Sequence, residues 1–176
     1  MRIIAGKWRG RIIDAPAGGK TRPTSDRVRE AWMSALQAEI ADSRVLDLFA
    51  GSGALGIEVL SRGARHVTFV ERAAPVIRVL KANLAKLGVA AEQTTIVRGD
   101  ALDFAAEAGP LEFDLALADP PYNQGFASDL LLTFTRRPFA HWFWIEHAAT
   151  EILPDIASTH TRKYGDTALT SITAPE

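Results

Sequence analysis

Apolar positions along the chain fall into short runs, separated by longer stretches in which they recur at helical spacing. The runs Val45-Leu46-Asp47-Leu48, His66-Val67-Thr68-Phe69-Val70, Thr94-Thr95-Ile96-Val97-Arg98 and Phe113-Asp114-Leu115-Ala116-Leu117-Ala118 predict strands over 44–48, 66–70, 94–98 and 113–118. Helices are expected between them, near 54–62, 74–87 and 101–107. Strands that alternate with helices in this way indicate an α/β fold built on a parallel sheet. Upstream, Val28, Ala31, Trp32, Ala35, Leu36 and Ile40 give one apolar face to a single helix that starts after Ser25 or Asp26, either of which can cap it. A short hairpin, Arg2 to Ala5 and Arg11 to Ile13, is expected before that helix. Downstream, a short helix follows Gly125, the aromatic strand Trp142-Phe143-Trp144-Ile145 ends at Glu146, and Thr159 to Thr173 reads as a closing hairpin. No internal repeat interrupts the order.

The first strand runs into Gly51-Ser52-Gly53-Ala54-Leu55-Gly56, a complete G-x-G-x-x-G. Glycines at these places permit a tight turn, close approach of backbone to a ligand, and close packing of helix on strand. Glu71 ends the next strand, 24 residues after Asp47, about one β-α-β step. A carboxylate there suits the two hydroxyls of a ribose. Asp100 closes the third strand. A dehydrogenase shares this geometry, and Asp47 separates the two readings. A pyrophosphate gains little from a carboxylate just before the loop, whereas a ligand with an ammonium and a sulfonium does.

The fourth strand ends at Asp119-Pro120-Pro121-Tyr122. Two prolines fix φ and remove two backbone donors, so the ladder stops and carbonyls become available as acceptors. An exocyclic amine on a planar base needs such parts: acceptors to orient its hydrogens and an aromatic face for its ring. Together with the glycine loop, this motif makes a methyl-donor site facing a base-amine site.

Composition bounds the reading. A chain of 176 residues with 47% hydrophobic content suits one well-buried domain. It contains no cysteine, which excludes disulfides and thiolate metal sites. The four histidines lack metal-ligand spacing, so no metal is expected. With neither a signal-peptide pattern nor a membrane-length apolar run, a cytoplasmic protein without membrane contact is expected. The net charge is −1, yet residues 1–30 carry eight Lys and Arg against three acids, a local excess of +5 of the kind that binds phosphate. Gly6, Gly10, Gly18 and Gly19 are expected to make this segment flexible. Trp8 has two readings of equal weight, a base-stacking face and a packed core residue. Arg22, Arg27 and Arg29 near a helix start oppose the helix dipole, which suggests a purpose beyond solubility.

The stretch Arg2-Ile3-Ile4-Ala5-Gly6-Lys7-Trp8-Arg9-Gly10, the segment Arg22-Pro23-Thr24-Ser25-Asp26-Arg27-Val28-Arg29-Glu30, the loop Asp47 to Gly56 and the Asp119 to Tyr122 motif together resemble the RsmD-type family of bacterial methyltransferases. These act on a guanine N2 amine in small-subunit ribosomal RNA. The resemblance spans nearly the whole chain and implies a class I S-adenosylmethionine-dependent fold. That fold is a seven-stranded, mostly parallel sheet with helices on both faces and one reversed strand near the C-terminus. It further implies that Asp47, Phe49, Gly51, Ser52, Gly53, Glu71, Arg72, Asp100 and Ala101 hold S-adenosyl-L-methionine, and that Asp119, Pro120 and Tyr122 hold the guanine. Lys7, Trp8, Arg9, Arg22, Thr24, Arg27 and Arg29 would meet the RNA. Residues 1–40 would then be an RNA-contacting extension of a methyltransferase core at 41–176. The expected partners are small-subunit ribosomal RNA and proteins of the 30S particle, with the enzyme a monomer. Two other functions fit parts of the pattern: methylation of adenine N6 or cytosine N4 in DNA, and a non-enzymatic RNA-binding assembly factor.

Overall fold

The structure, a computed structural model, describes residues 1–16 and 26–175. Among these, seven strands form one sheet: β1 (Arg44–Leu48), β2 (His66–Glu71), β3 (Thr94–Arg98), β4 (Phe113–Ala118), β5 (Ala140–Ala148), β6 (Thr159–Tyr164) and β7 (Thr167–Thr173). Their order is β3-β2-β1-β4-β5-β7-β6. The first five run parallel, and β7 is antiparallel to both of its neighbours, so it is the one reversed strand. Six helices accompany the sheet: α1 (Asp26–Ala35), α2 (Gln37–Ile40), α3 (Ala54–Ser61), α4 (Ala74–Leu87), α5 (Ala101–Glu107) and α6 (Phe126–Arg136). This is the class I methyltransferase architecture that the motifs imply.

Side chains of a strand alternate between faces, so the central strands feed two separate cores. Val45, Leu115, Leu117 and Trp144 pack on one face with residues from α1 to α4 and with Ile3, Trp8 and Ile13. Leu46, Leu48, Ala116, Ala118, Phe143 and Ile145 pack on the other with α5 and α6. The sheet is therefore covered on both sides, which explains why β1 and β4 are buried at nearly every position. Its outer strands β3 and β6 carry exposed positions, among them Arg98, Arg162 and Lys163, as suits a strand edge that must not pair with another chain.

Three expectations change. The single helix up to Ile40 is divided at Leu36, whose backbone (φ −96°, ψ 0°) leaves the α-helical path between α1 and α2; Leu36 and Ile40 are nevertheless fully buried. The aromatic strand is longer than its apolar run, because β5 pairs with β7 as far as Ala148. The N-terminal hairpin reduces to one bridge, Arg2 with Ile12, and it is not a flexible arm. Glu58 on α3 accepts the Ile4 and Ala5 N–H groups at 2.9 and 3.0 Å, and Ser61 engages Ala5 and Trp8. Gly6 (φ +80°) makes this docking possible, since a Cβ there would stand 1.8 Å from the Ser61 carbonyl oxygen. Gly18 and Gly19 lie outside the described residues.

Candidate active site

Strands β1 and β4 are neighbours in register, with Leu48 opposite Ala118. The residues that follow, Phe49 and Asp119, therefore begin two adjacent loops, one strand spacing or about 5 Å apart. This is the place where the strand order reverses, and in open parallel sheets the crevice outside the carboxyl ends of the strands at that point receives the ligand. The β1 loop is tightly turned: Phe49, Gly51 and Gly53 all have positive φ, at 58°, 56° and 88°. Gly53 suits its place because φ +88° strains any side chain, and a Cβ would also displace Leu80 Cδ1 on α4, 2.4 Å away. Phe49 is the strained member. Its ring rests against Phe126 at 5.1 Å between centroids, and the Ala50 N–H donates to the Val70 carbonyl at 3.0 Å.

The three acids take different positions around this loop. Glu71 leaves β2 half-buried, with Oε2 accepting the Gly51 N–H at 3.1 Å and Oε1 accepting the Ala73 N–H at 2.8 Å. Asp100 caps α5 through Oδ1, which accepts from Leu102 and Asp103, while Oδ2 lies 4.0 Å from the exposed Arg72 guanidinium. Ala101, the first residue of α5, is buried behind it. Asp47 lies beneath the loop rather than on its rim. It is 1% exposed and its Oδ2 accepts the Gly56 N–H at 2.9 Å. Burial, opposed by that hydrogen bond and reinforced by the nearby Glu71 carboxylate, raises the Asp47 pKa from 3.8 to about 7. The folded protein thus holds this proton more tightly than the unfolded chain does. The resulting stabilisation is complete below pH 3.8 and is lost as the pH rises through about 7. Asp47→Asn keeps an acceptor for Gly56, and its unfolding free energy is expected to lack this decline. Urea titrations of both proteins across that range measure the difference, and parallel pH profiles would rule the assignment out.

On the β4 side, Asp119 is half-buried, Pro120 buried and Tyr122 half-buried. The Tyr122 hydroxyl donates to Glu146 Oε1 and meets Thr167 Oγ1 at 3.1 Å. Burial, followed by the Glu146 carboxylate, holds the phenol well above its ordinary pKa. Glu146, 2% exposed near the end of β5, and Thr167, the first residue of β7, are site residues that sequence reasoning missed. They stand 24 and 45 residues from Tyr122, and no local spacing links them. The phenol is anchored at its far end, so the ring plane is set by the fold itself. Tyr122→Phe removes the phenol donor from a buried carboxylate and is expected to cost about 1–3 kcal/mol. Pairing it with Glu146→Leu should recover part of that loss in chemical denaturation; strict additivity would mean the two groups are independent.

The residues expected at the RNA divide. Lys7 and Arg9 are exposed, as are Arg2 and Arg11. Trp8 is 5% exposed and belongs to the core, with the Lys7 ammonium 5.2 Å from its ring centroid; the packed reading is correct and the base-stacking one is not. Arg29 is also no surface contact. It is 1% exposed, and its Nη2 donates to the Arg2 carbonyl at 2.6 Å. The purpose of this cation near a helix start is to hold the N-terminal backbone. Arg22 and Thr24 lie outside the described residues, as does the side chain of Arg27. Among the described residues no group of three or more His, Cys, Asp or Glu could hold a metal ion, and no helix is long and apolar enough to cross a membrane.

Known proteins agree with this arrangement. The model of a family described as conserved hypothetical protein 95 matches residues 1–172. Ribosomal RNA small subunit methyltransferase D of Haemophilus influenzae is 41% identical over 132 residues, which is 74% of this chain and 68% of that protein. The protein of the same name in Escherichia coli is 40% identical, with 65% of its length matched, so the aligned region spans about two thirds of these curated relatives. The solved structure of the Escherichia coli protein yhhF superposes with a TM-score of 0.83 at 34% identity, covering 98% of this chain and 97% of that one. An RNA methyltransferase from Salinibacter ruber, solved in complex with S-adenosyl-L-homocysteine, shares the fold at 16% identity, with a TM-score of 0.66 over 88% of this chain and 94% of the other.

Proposed function

The chain belongs to the RsmD-type family, the one described as conserved hypothetical protein 95, and from that membership we propose that it methylates the exocyclic N2 amine of a guanine in small-subunit ribosomal RNA. It is an S-adenosylmethionine-dependent methyltransferase, and its substrate class is RNA. The observation that supports an exocyclic amine as the methyl acceptor is the register of Leu48 with Ala118, because it sets the glycine loop and the Asp119-Pro120-Pro121-Tyr122 turn side by side in one crevice; the choice of guanine N2 rests on the family. The residues present suit the cofactor. Glu71, steadied by the Gly51 and Ala73 N–H groups, would bind the ribose, Asp100 and Ala101 would lie by the adenine, and the loop from Phe49 to Gly53 would hold the amino-acid end.

S-adenosylmethionine supplies an electrophilic methyl on a sulfonium. The protein supplies position, since effective molarity accounts for much of the barrier in such an in-line transfer. The guanine amine is a poor nucleophile because its lone pair is delocalised into the ring. Asp119 and the Pro120 carbonyl would accept its two hydrogens, turning the lone pair out of conjugation and towards the methyl, and would stabilise the positive charge that builds on nitrogen. Tyr122, its hydroxyl anchored by Glu146 and Thr167, would offer the ring face on which the base rests. No covalent enzyme intermediate is needed, and the proton that the methylated amine sheds would pass to Asp119 or to solvent.

Residues 1–40 would contact RNA through the exposed Arg2, Lys7, Arg9 and Arg11, seated on a segment that is docked firmly on α3. Lys7→Ala with Arg9→Ala is expected to weaken RNA binding and to lower the slope of log K against log salt by about 0.7–0.9 per phosphate contact removed. A slope equal to that of the parent would take these side chains out of the interface. The deciding experiment is transfer of labelled methyl to naked small-subunit ribosomal RNA, to 30S particles lacking the modification, and to duplex DNA, with the product nucleoside identified by mass spectrometry. N2-methylguanosine from ribosomal material is the expected product. Methylated adenine or cytosine from DNA would overturn the target.

A further inference from the structure

Asn83 lies on α4, outside every motif of the sequence, and is fully buried. Its amide is used from both ends. Oδ1 accepts the Asp14 N–H at 2.8 Å, while Nδ2 donates to the Asp14 carbonyl at 3.0 Å and to the Ser52 carbonyl at 3.0 Å. Ser52 is the centre of Gly51-Ser52-Gly53, and Asp14 follows the second leg of the N-terminal hairpin. One planar group therefore joins the cofactor loop to the basic segment. Neighbouring contacts fasten that segment to α4: Arg11 Nη2 donates to the Lys86 carbonyl at 2.7 Å, and Lys86 Nζ lies 3.3 Å from Asp14 Oδ2.

We propose that Asn83 is a positioning residue through which RNA on the N-terminal segment and S-adenosylmethionine in the glycine loop each tighten the binding of the other. The inference rests on the reading of residues 1–40 as an RNA contact. An RNA that immobilises residues 11–14 fixes the Asp14 peptide, and the Asp14 peptide fixes the Asn83 amide plane. That plane in turn holds the Ser52 carbonyl, so the loop has less freedom left to lose when the cofactor binds. By linkage the effect is reciprocal. A buried amide whose partners are all met transmits such ordering, because losing any one of them leaves a buried donor or acceptor unsatisfied.

The test is a filter-binding titration of labelled, unmodified small-subunit ribosomal RNA, with and without saturating S-adenosylhomocysteine. In the parent protein, saturation with S-adenosylhomocysteine is expected to tighten RNA binding about fivefold or more. In Asn83→Ala, verified as folded by near-ultraviolet circular dichroism, the ratio should fall to one. If that variant does not fold, Asp14→Pro serves: it loses the N–H that Asn83 Oδ1 accepts together with the Lys86 contact, and Asp14→Ala, which loses the Lys86 contact alone, isolates the N–H; the Asp14→Pro ratio should also fall to one. Asp14→Ala keeps that N–H and loses the Lys86 contact, and should keep the ratio. An unchanged ratio in folded Asn83→Ala, or a ratio of one in the parent, would overturn the coupling while leaving the RNA reading intact. Failure of the parent to bind RNA at all would remove both.

Discussion

Replacing Asp119 by alanine is expected to lower methyl transfer by about 10²–10³-fold, the effect of removing one preorganised partner of a developing charge, while S-adenosylhomocysteine binds with nearly its parental affinity. The reasoning lies in the position of the residue. Asp119 follows Ala118, the last residue of β4, whose partner in the ladder is Leu48 at the end of β1, so it stands beside the cofactor loop without belonging to it. Asp47, Glu71 and Asp100 accept N–H groups of the glycine loop and of the segments beside it. Loss of Asp119 leaves those three carboxylates in place and, on the proposed mechanism, would subtract an acceptor from the amine. Single-turnover transfer gives the chemical step, and calorimetric titration with S-adenosylhomocysteine gives the cofactor affinity. If Asp119→Ala transferred methyl at the parental rate, the amine-orienting role would pass to the Pro120 carbonyl alone. Asp119→Asn distinguishes charge from geometry, because it keeps an oxygen acceptor but no negative charge; an intermediate rate is expected.

The largest effect on stability is expected at Glu58. Its carboxylate is 1% exposed and accepts the Ile4 and Ala5 N–H groups and the Arg62 Nε, the last at 2.9 Å. Arg62 itself is only 8% exposed along its side chain. Glu58→Ala leaves a buried guanidinium without its carboxylate and two backbone donors without an acceptor, and breaking a buried pair in this way costs about 3–5 kcal/mol. Glu58→Gln retains an acceptor oxygen and is expected to lose less. Urea unfolding of the three proteins gives the comparison, and a loss below about 1 kcal/mol in Glu58→Ala, the size of an exposed pair, would mean the site is wetter than its geometry indicates. Because α3 begins at the cofactor loop and carries Glu58 one turn from its end, the same variant should also release the N-terminal segment. Hydrogen exchange at Ile4 and Ala5 reports that directly.

Much of the fold was legible because the signals are local. Each central strand announces itself by a run of apolar residues, and the glycine loop and the double proline mark where β1 and β4 must end. The misreadings share one cause. By residue type and by the resemblance, Trp8 and Arg29 read as an aromatic and a cation that meet RNA, Trp8 reading equally well as a packed residue, and both are buried. An aromatic that stacks on RNA and one that packs in the core look alike in sequence, because the difference is in what faces them. Glu146, Thr167 and Asn83 were passed over for the same reason: none lies within a motif, and each gains its role from a partner brought close by the topology.

By itself, then, the order of residues determined the succession of strands and helices, the sites where loops must turn, and the types of chemical group those loops carry, since periodicity, glycine and proline act over a few residues. Only the tertiary structure decided which carboxylates sit under the glycine loop and which stand at the end of β4 beside it. It also decided which basic residues face solvent, and that one buried amide on α4 joins both loop and N-terminal segment. Burial and hydrogen-bond partnership are properties of pairs distant in the chain, and the sheet order β3-β2-β1-β4-β5-β7-β6 is what brings those pairs together.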